Sequence, residues 1–173
     1  MFFVSGQPSG VQGPVSPLKL KNVIRECVET VVPLAASRRV DLMVRHTPDV
    51  EVMANGRRVK HVLINLLSNA IKYNRKNGVV IVASKVLEAR LRVSVSDTGP
   101  GLDREHVERL FTHYDQLDAI DTTIDGTGSG LARSKRFIEA MGGAIGVESV
   151  PGDGSTFWIE FPLFVDQWRR LAS

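Results

Sequence analysis

Asn65 and Asn69 stand four residues apart in a stretch whose apolar positions recur at helical spacing, so both amides project from one side of a helix. His61 lies one turn earlier, and Lys72 and Tyr73 follow three and four residues after Asn69, extending the ridge. An amide oxygen is a neutral, hard ligand, suited to a magnesium ion that keeps most of its coordination from water and phosphate. A nearby lysine adds positive charge for those phosphates, and a tyrosine ring offers a face on which a base can stack. A ridge of Asn and Lys is also an ordinary solvated helix face, and taken alone it decides nothing.

Asp97-Thr98-Gly99-Pro100-Gly101 directly follows a strand pattern. An aspartate at a strand end can accept a hydrogen bond from an exocyclic amino group such as that of adenine. Gly99 and Gly101 let the backbone bend tightly and come close to a ligand. Plain turns share this pattern. Gly126-Thr127-Gly128-Ser129-Gly130-Leu131 comes just before a helix, where unpaired amides and the helix dipole favour phosphate. It is not a P-loop, since no Gly-Lys-Ser/Thr follows, nor a Rossmann turn, since no strand leads straight into it. A flexible hinge is the competing reading. Residues 114–125 before it are long and polar enough to be a mobile lid. Gly154-Ser155-Thr156-Phe157 opens the last strand, as a hairpin exit would.

These groups need elements to hold them. Ser16-Pro17 reads as an N-cap with proline at the first helical position, ahead of Leu20, Val23, Ile24, Cys27, Val28 and Val31 at helical spacing. Pro33 is expected to end or kink that helix. Short strands are predicted over 40–44 and 51–54. Asn55-Gly56 then turns the chain into the asparagine helix, whose opposite side carries Val59, Val62, Leu63, Leu66, Leu67 and Ala70. A strand over 79–84 precedes Leu91, Val93 and Val95, which alternate with polar residues up to Asp97. Residues 102–111 suggest a short helix. Leu131, Phe137, Ile138 and Met141 mark another, closed by Gly142-Gly143. Strands over 144–149 and 155–161 are joined by Gly152-Asp153-Gly154. Such a mixture predicts an α/β (α+β) two-layer sandwich, a mixed and mostly antiparallel sheet with helices on one face.

The 173 residues suit one domain, and 43% hydrophobic with 24% charged residues exclude a wholly disordered chain. A net charge of +3 exerts little pull on nucleic acid, and none is expected as a partner. The lone Cys27 leans toward a reducing, cytoplasmic setting. No apolar run approaches the ~20 residues of a membrane span, and the start lacks the basic segment of a signal peptide. The sequence thus reads as a soluble protein or as a soluble piece of a larger, membrane-anchored one. Residues 1–15 are read as a flexible tail or linker, with eight Gly, Pro or Ser among residues 5–16. Residues 16–165 are read as the folded domain and 166–173 as a C-terminal tail.

Taken in order, Asn65 to Tyr73, Asp97 to Gly101, Leu110-Phe111, Gly126 to Leu131 and Gly154 to Phe157 closely resemble the catalytic ATP-binding domain of bacterial sensor histidine kinases. That family belongs to the GHKL superfamily, with gyrase and the Hsp-type chaperone ATPases. The resemblance, spanning roughly residues 17–163, implies the Bergerat-type sandwich with three main helices over a mixed sheet, and ATP with Mg2+ as ligands. By this likeness Asn69 coordinates the magnesium, and Asn65 and Lys72 support the polyphosphate. Tyr73 lies beside the adenine, Asp97 binds its amino group within a loop that includes Gly99, and Gly101 leaves room for the ring. Thr156 backs up the Asp97 end through water. Gly126, Gly128 and Gly130 hinge the lid, with Thr127, Ser129 and Leu131 in the same nucleotide-binding box.

Relatives that hydrolyse ATP carry a general-base glutamate four residues before the magnesium asparagine. Here that place holds Asn65, whose amide accepts no proton, as in the histidine kinase branch. The acceptor histidine is not in this chain, because His46, His61, His106 and His113 all lack the acceptor-helix setting. The implied partners are ATP or ADP, the dimerisation and histidine phosphotransfer domain of the same parent protein, and through it a response regulator. The piece itself is expected to be monomeric. Two departures, Ser129 for an aliphatic residue and Gln116 where an arginine often reaches the terminal phosphate, bear on lid closure. A GHKL-type serine kinase or ATPase, and a non-catalytic nucleotide-binding module, remain the alternatives.

Overall fold

The computed structural model describes residues 14–112 and 129–164. From the N-terminal side run β1 (Ser16–Lys19), α1 (Leu20–Arg38), β2 (Asp41–Val44), β3 (Glu51–Ala54) and α2 (Gly56–Lys72). They are followed by β4 (Val79–Leu87), β5 (Arg90–Asp97), α3 (Arg104–Thr112), α4 (Ser129–Ala140), β6 (Ala144–Val150) and β7 (Gly154–Pro162). Five strands form one sheet in the order β2-β4-β5-β7-β6, with β2 parallel to β4 and every other pair antiparallel.

Period-two patterning gives this sheet a dry face. In β5, Leu91, Val93 and Val95 are buried, as are Val80 and Val82 on the same face of β4 and Ile159 and Phe161 on that of β7. The long helices cover that face: α2 lies on β5 between α1 and α4, while the short α3 packs on α4. The stripe of α2 is buried from Val59 through Ile71, and Asn55 caps the helix by accepting from the Arg58 amide at 3.1 Å. The predicted two-layer sandwich is therefore the observed one.

At the N-terminal edge the structure differs from the sequence reading. Ser16 and Pro17 do not start a helix; they lie in β1, which pairs antiparallel with β3 as a separate two-stranded ribbon, Pro17 opposite Met53. Proline, lacking an amide hydrogen, is tolerated in such an edge strand, and cross-strand pairing overrides its helix-start preference. Lys19 takes the N-cap position without a side-chain bond. Pro33 does not end α1, which continues to Arg38 with Val31 and Ala35 buried on either side of it. Of the expected tails, residues 1–13 and 166–173 lie outside the described residues, as does residue 165 at the end of the expected domain.

Cys27 is fully buried between α1 and α2, and its thiol donates to the Lys60 carbonyl at 3.7 Å. Burial pushes its pKa up to about 11. The native protein should leave Cys27 unmodified by iodoacetamide at pH 8, while the urea-unfolded chain reacts fully; equal rates would contradict this burial. Above pH 9 the unfolded chain releases the thiol proton first and so binds fewer protons. Stability therefore falls as pH rises from 9 toward 11.

Candidate functional site

β5 delivers Asp97 to the sheet end, where the chain breaks away into the Gly99 to Gly101 loop. Burial pushes the Asp97 carboxyl above its ordinary pKa, while donation from the Gly99 and Ser155 amides holds it down; the Gly99 bond measures 2.8 Å. The loop is packed tightly from behind. A Cβ on Gly101, whose φ is +69°, would stand 2.1 Å from the Val150 carbonyl oxygen. Ser149 Oγ accepts from the Leu102 amide at 2.7 Å and lies 2.8 Å from Ser155 Oγ.

Thr156 does not support Asp97 as expected. Strand alternation places it on the opposite sheet face, with its hydroxyl 2.9 Å from Ser96 Oγ. The cross-strand neighbour of Asp97 is Ser155, which is buried. The Gly-Ser-Thr spelling leaves either hydroxyl open, and only the pairing register decides between them.

The ridge of α2 reaches from the first turns of α4 to this loop. Asn65 and Asn69 are partly buried, Lys72 is exposed, and Tyr73, at the helix C-cap, is 57% exposed. Eight residues separate Asn65 from Tyr73, about 12 Å of helix axis. At the Asn65 end, its amide Nδ2 donates to Ser134 Oγ at 3.3 Å. Ser134 is completely buried and donates to the Gly130 carbonyl at 2.7 Å. The Gly130 backbone lies so close that a Cβ there would come within 2.5 Å of Asn65 Oδ1. At the Tyr73 end, a Cβ on Gly99 would lie 2.9 Å from the Tyr73 carbonyl oxygen. One helix face thus spans from the first turn of α4, where Leu131 is buried, to the Asp97 loop.

The structure brings together Asn65, Gly130, Tyr73, Gly99 and Asp97 from three separate motifs, with Asn69 and Lys72 between the ends. Ser129 opens α4. Gly126, Thr127, Gly128, the lid segment, Gln116 and His113 lie outside the described residues. His46 and His61 are exposed, the latter edge-on to the Phe137 ring at 5.7 Å. His106 is exposed and sits 2.8 Å from the Asp103 carboxylate, which it holds below the usual aspartate range. Sequence reasoning missed Ser134 and Ser155, single serines whose partners at the site, Asn65 and Asp97, are distant in sequence and so give no spacing signal.

No cluster of three His, Cys, Asp or Glu able to hold a metal exists among the described residues. An amide ligand such as Asn69 suits a metal held chiefly by water and by the phosphates of its substrate, which is how magnesium binds. The donor set fits that ion.

The family model of the histidine kinase-, DNA gyrase B- and HSP90-like ATPases matches residues 54–165, from the start of the asparagine helix to beyond the last strand. The chain belongs to this ATPase family. It is 40% identical over 157 residues to the sensor histidine kinase GacS of Pseudomonas protegens, which covers 85% of this chain and 17% of that protein. The chain therefore spans less than a fifth of the curated relative it matches. Among solved structures, the nucleotide-free catalytic domain of the histidine kinase ThkA superposes with a TM-score of 0.73 at 30% identity, covering 87% of this chain and 96% of that one. Full-length ShkA in complex with AMPPNP gives a TM-score of 0.74 at 30% identity over 89% of this chain and 32% of its own. The ATPase-family fold and the catalytic part of a histidine kinase are thus the same region of this chain. No helix among the described residues is long and apolar enough to cross a membrane.

Proposed function

We propose that this domain binds Mg-ATP along the α2 ridge and presents the γ-phosphate to a histidine on a separate helical acceptor domain of its parent protein. The observation that carries the reading is the span of α2 between Gly130 at one end and the Asp97 loop at the other. Asp97 accepts from the adenine amino group, Tyr73 lies along the base, and Gly99 and Gly101 keep the loop free of side chains. Asn69 holds the metal, which when bound neutralises phosphate charge; Asn65 and Lys72 support the phosphate chain, with Gly130 of α4 beside Asn65. The attacking imidazole nitrogen forms a bond to the γ-phosphorus as the bond to the β-phosphate bridging oxygen breaks, leaving phosphohistidine and ADP. Asn65, turned toward Ser134, is no proton acceptor, so water is not activated from that position. ADP, the acceptor domain and, through it, a response regulator are the partners of this scheme. The domain itself acts as a monomer on the cytoplasmic side.

The test mixes the domain with candidate acceptor domains and γ-labelled ATP. Acid-labile label on histidine is expected, with little ATP consumed by the domain alone. Steady hydrolysis that survives Asn65→Ala would instead favour a free-standing ATPase.

A further inference from the structure

The turn between α2 and β4 carries polar side chains that the nucleotide reading leaves unused. Asn74, just past the end of α2, donates through Nδ2 to the Val79 carbonyl at 3.1 Å. Its Oδ1 accepts from the Arg75 amide at 2.8 Å and from Thr98 Oγ1 at 3.2 Å. Thr98 Oγ1 in turn accepts from the Val79 amide at 2.9 Å, and the Thr98 amide donates to the Val79 carbonyl at 3.2 Å. Val79 begins β4, and Thr98 is the residue immediately after Asp97, so these bonds tie the base-reading loop to both the sheet and the helix end. Beyond the turn, Arg75 Nη2 donates to the Gly152 carbonyl, and the Gly152 amide to the Pro100 carbonyl, each at 2.7 Å. The loop is braced at Thr98 and again at Pro100.

We propose that Asn74 and Thr98 are positioning residues for base recognition, whose paired side chains fix the direction of the Asp97 carboxylate and so set a preference for adenine over guanine. The inference rests on the nucleotide reading above. Adenine presents an amino donor where guanine presents a carbonyl oxygen. A carboxylate held in one direction accepts from the first and repels the second. Freed from its brace, the loop can turn the carboxylate toward guanine's other donors, and the preference shrinks. Neither residue touches the base in this scheme; both act through Asp97.

Calorimetry of Mg-ADP and Mg-GDP with the whole chain tests this, using Thr98→Val, Thr98→Ser and Asn74→Ala, each first shown to be folded by circular dichroism. Thr98→Val keeps the shape and removes the hydroxyl, whereas Thr98→Ser keeps the hydroxyl. The ratio of ADP to GDP affinity should fall about tenfold in Thr98→Val and Asn74→Ala and stay near wild type in Thr98→Ser. An unchanged ratio, or equal weakening of both nucleotides, overturns the positioning role while leaving the nucleotide site intact. A wild-type chain that binds neither nucleotide overturns the site itself, and this inference with it.

Discussion

Asp97→Asn lowers the affinity for ADP by about ten- to a hundredfold while leaving the nucleotide-free fold standing. The substitution keeps the side-chain shape but turns one carboxylate oxygen into a donor, which then faces an amino donor on the base. An unpaired or misdirected polar group in such a site costs roughly 1–3 kcal/mol, which sets the expected loss. The effect on the fold is small for a separate reason. Burial raises the Asp97 pKa, so folding favours the neutral form, and stability from this group is present at acid pH and lost as pH rises through its raised pKa. Once ionised, the carboxylate is thus a cost to the empty domain, which asparagine removes while giving up one acceptor for the Gly99 and Ser155 amides. The melting temperature should stay within about 4 °C of wild type. Isothermal titration and thermal melting check both halves, and an unchanged ADP affinity would mean that Asp97 does not read the base.

Gly154→Ala should be the most damaging conservative change. Gly154 has φ +97°, and a Cβ there would stand 1.9 Å from the carbonyl oxygen of Asp97. Backbone strain and the forced separation of β5 from β7 together cost about 3 kcal/mol or more. In a domain of this size that lowers the melting temperature by about 10 °C. Separation would also displace the Ser155 amide from the Asp97 carboxylate, so nucleotide affinity should fall in parallel. Gly142→Ala is the control: its φ is +73° but nothing lies within 4 Å of the added carbon, so only strain remains, about 1–2 kcal/mol. Melting curves that rank the two variants the other way would contradict the close packing of Gly154 on Asp97.

The core of this fold was readable because its signals repeat. Val59 to Ala70 at helical spacing, and Leu91, Val93 and Val95 in alternation, each state one buried face several times over. β1 was not readable: Ser16-Pro17 satisfies a helix start and an edge strand equally, and the choice rests on β3, more than thirty residues away. The site divides in the same way. Asn65, Asn69, Asp97 and Gly101 announce themselves through fixed spacing. The roles of Ser134, Asn74 and Thr98 do not, since each rests on hydrogen bonds that only the folded chain supplies. Thr156 was misplaced by one residue, which in a strand is a change of face.

The claim beneath all of these is that the second half of α2 and the Asp97 loop form one nucleotide site. An NMR titration of the isotope-labelled chain with Mg-ADP reads it directly. Amide resonances of Asn65, Asn69, Tyr73, Asp97 and Gly99 should move together and saturate with one shared dissociation constant. Shifts confined to one of the two elements, or no saturable shift at millimolar nucleotide, would contradict it.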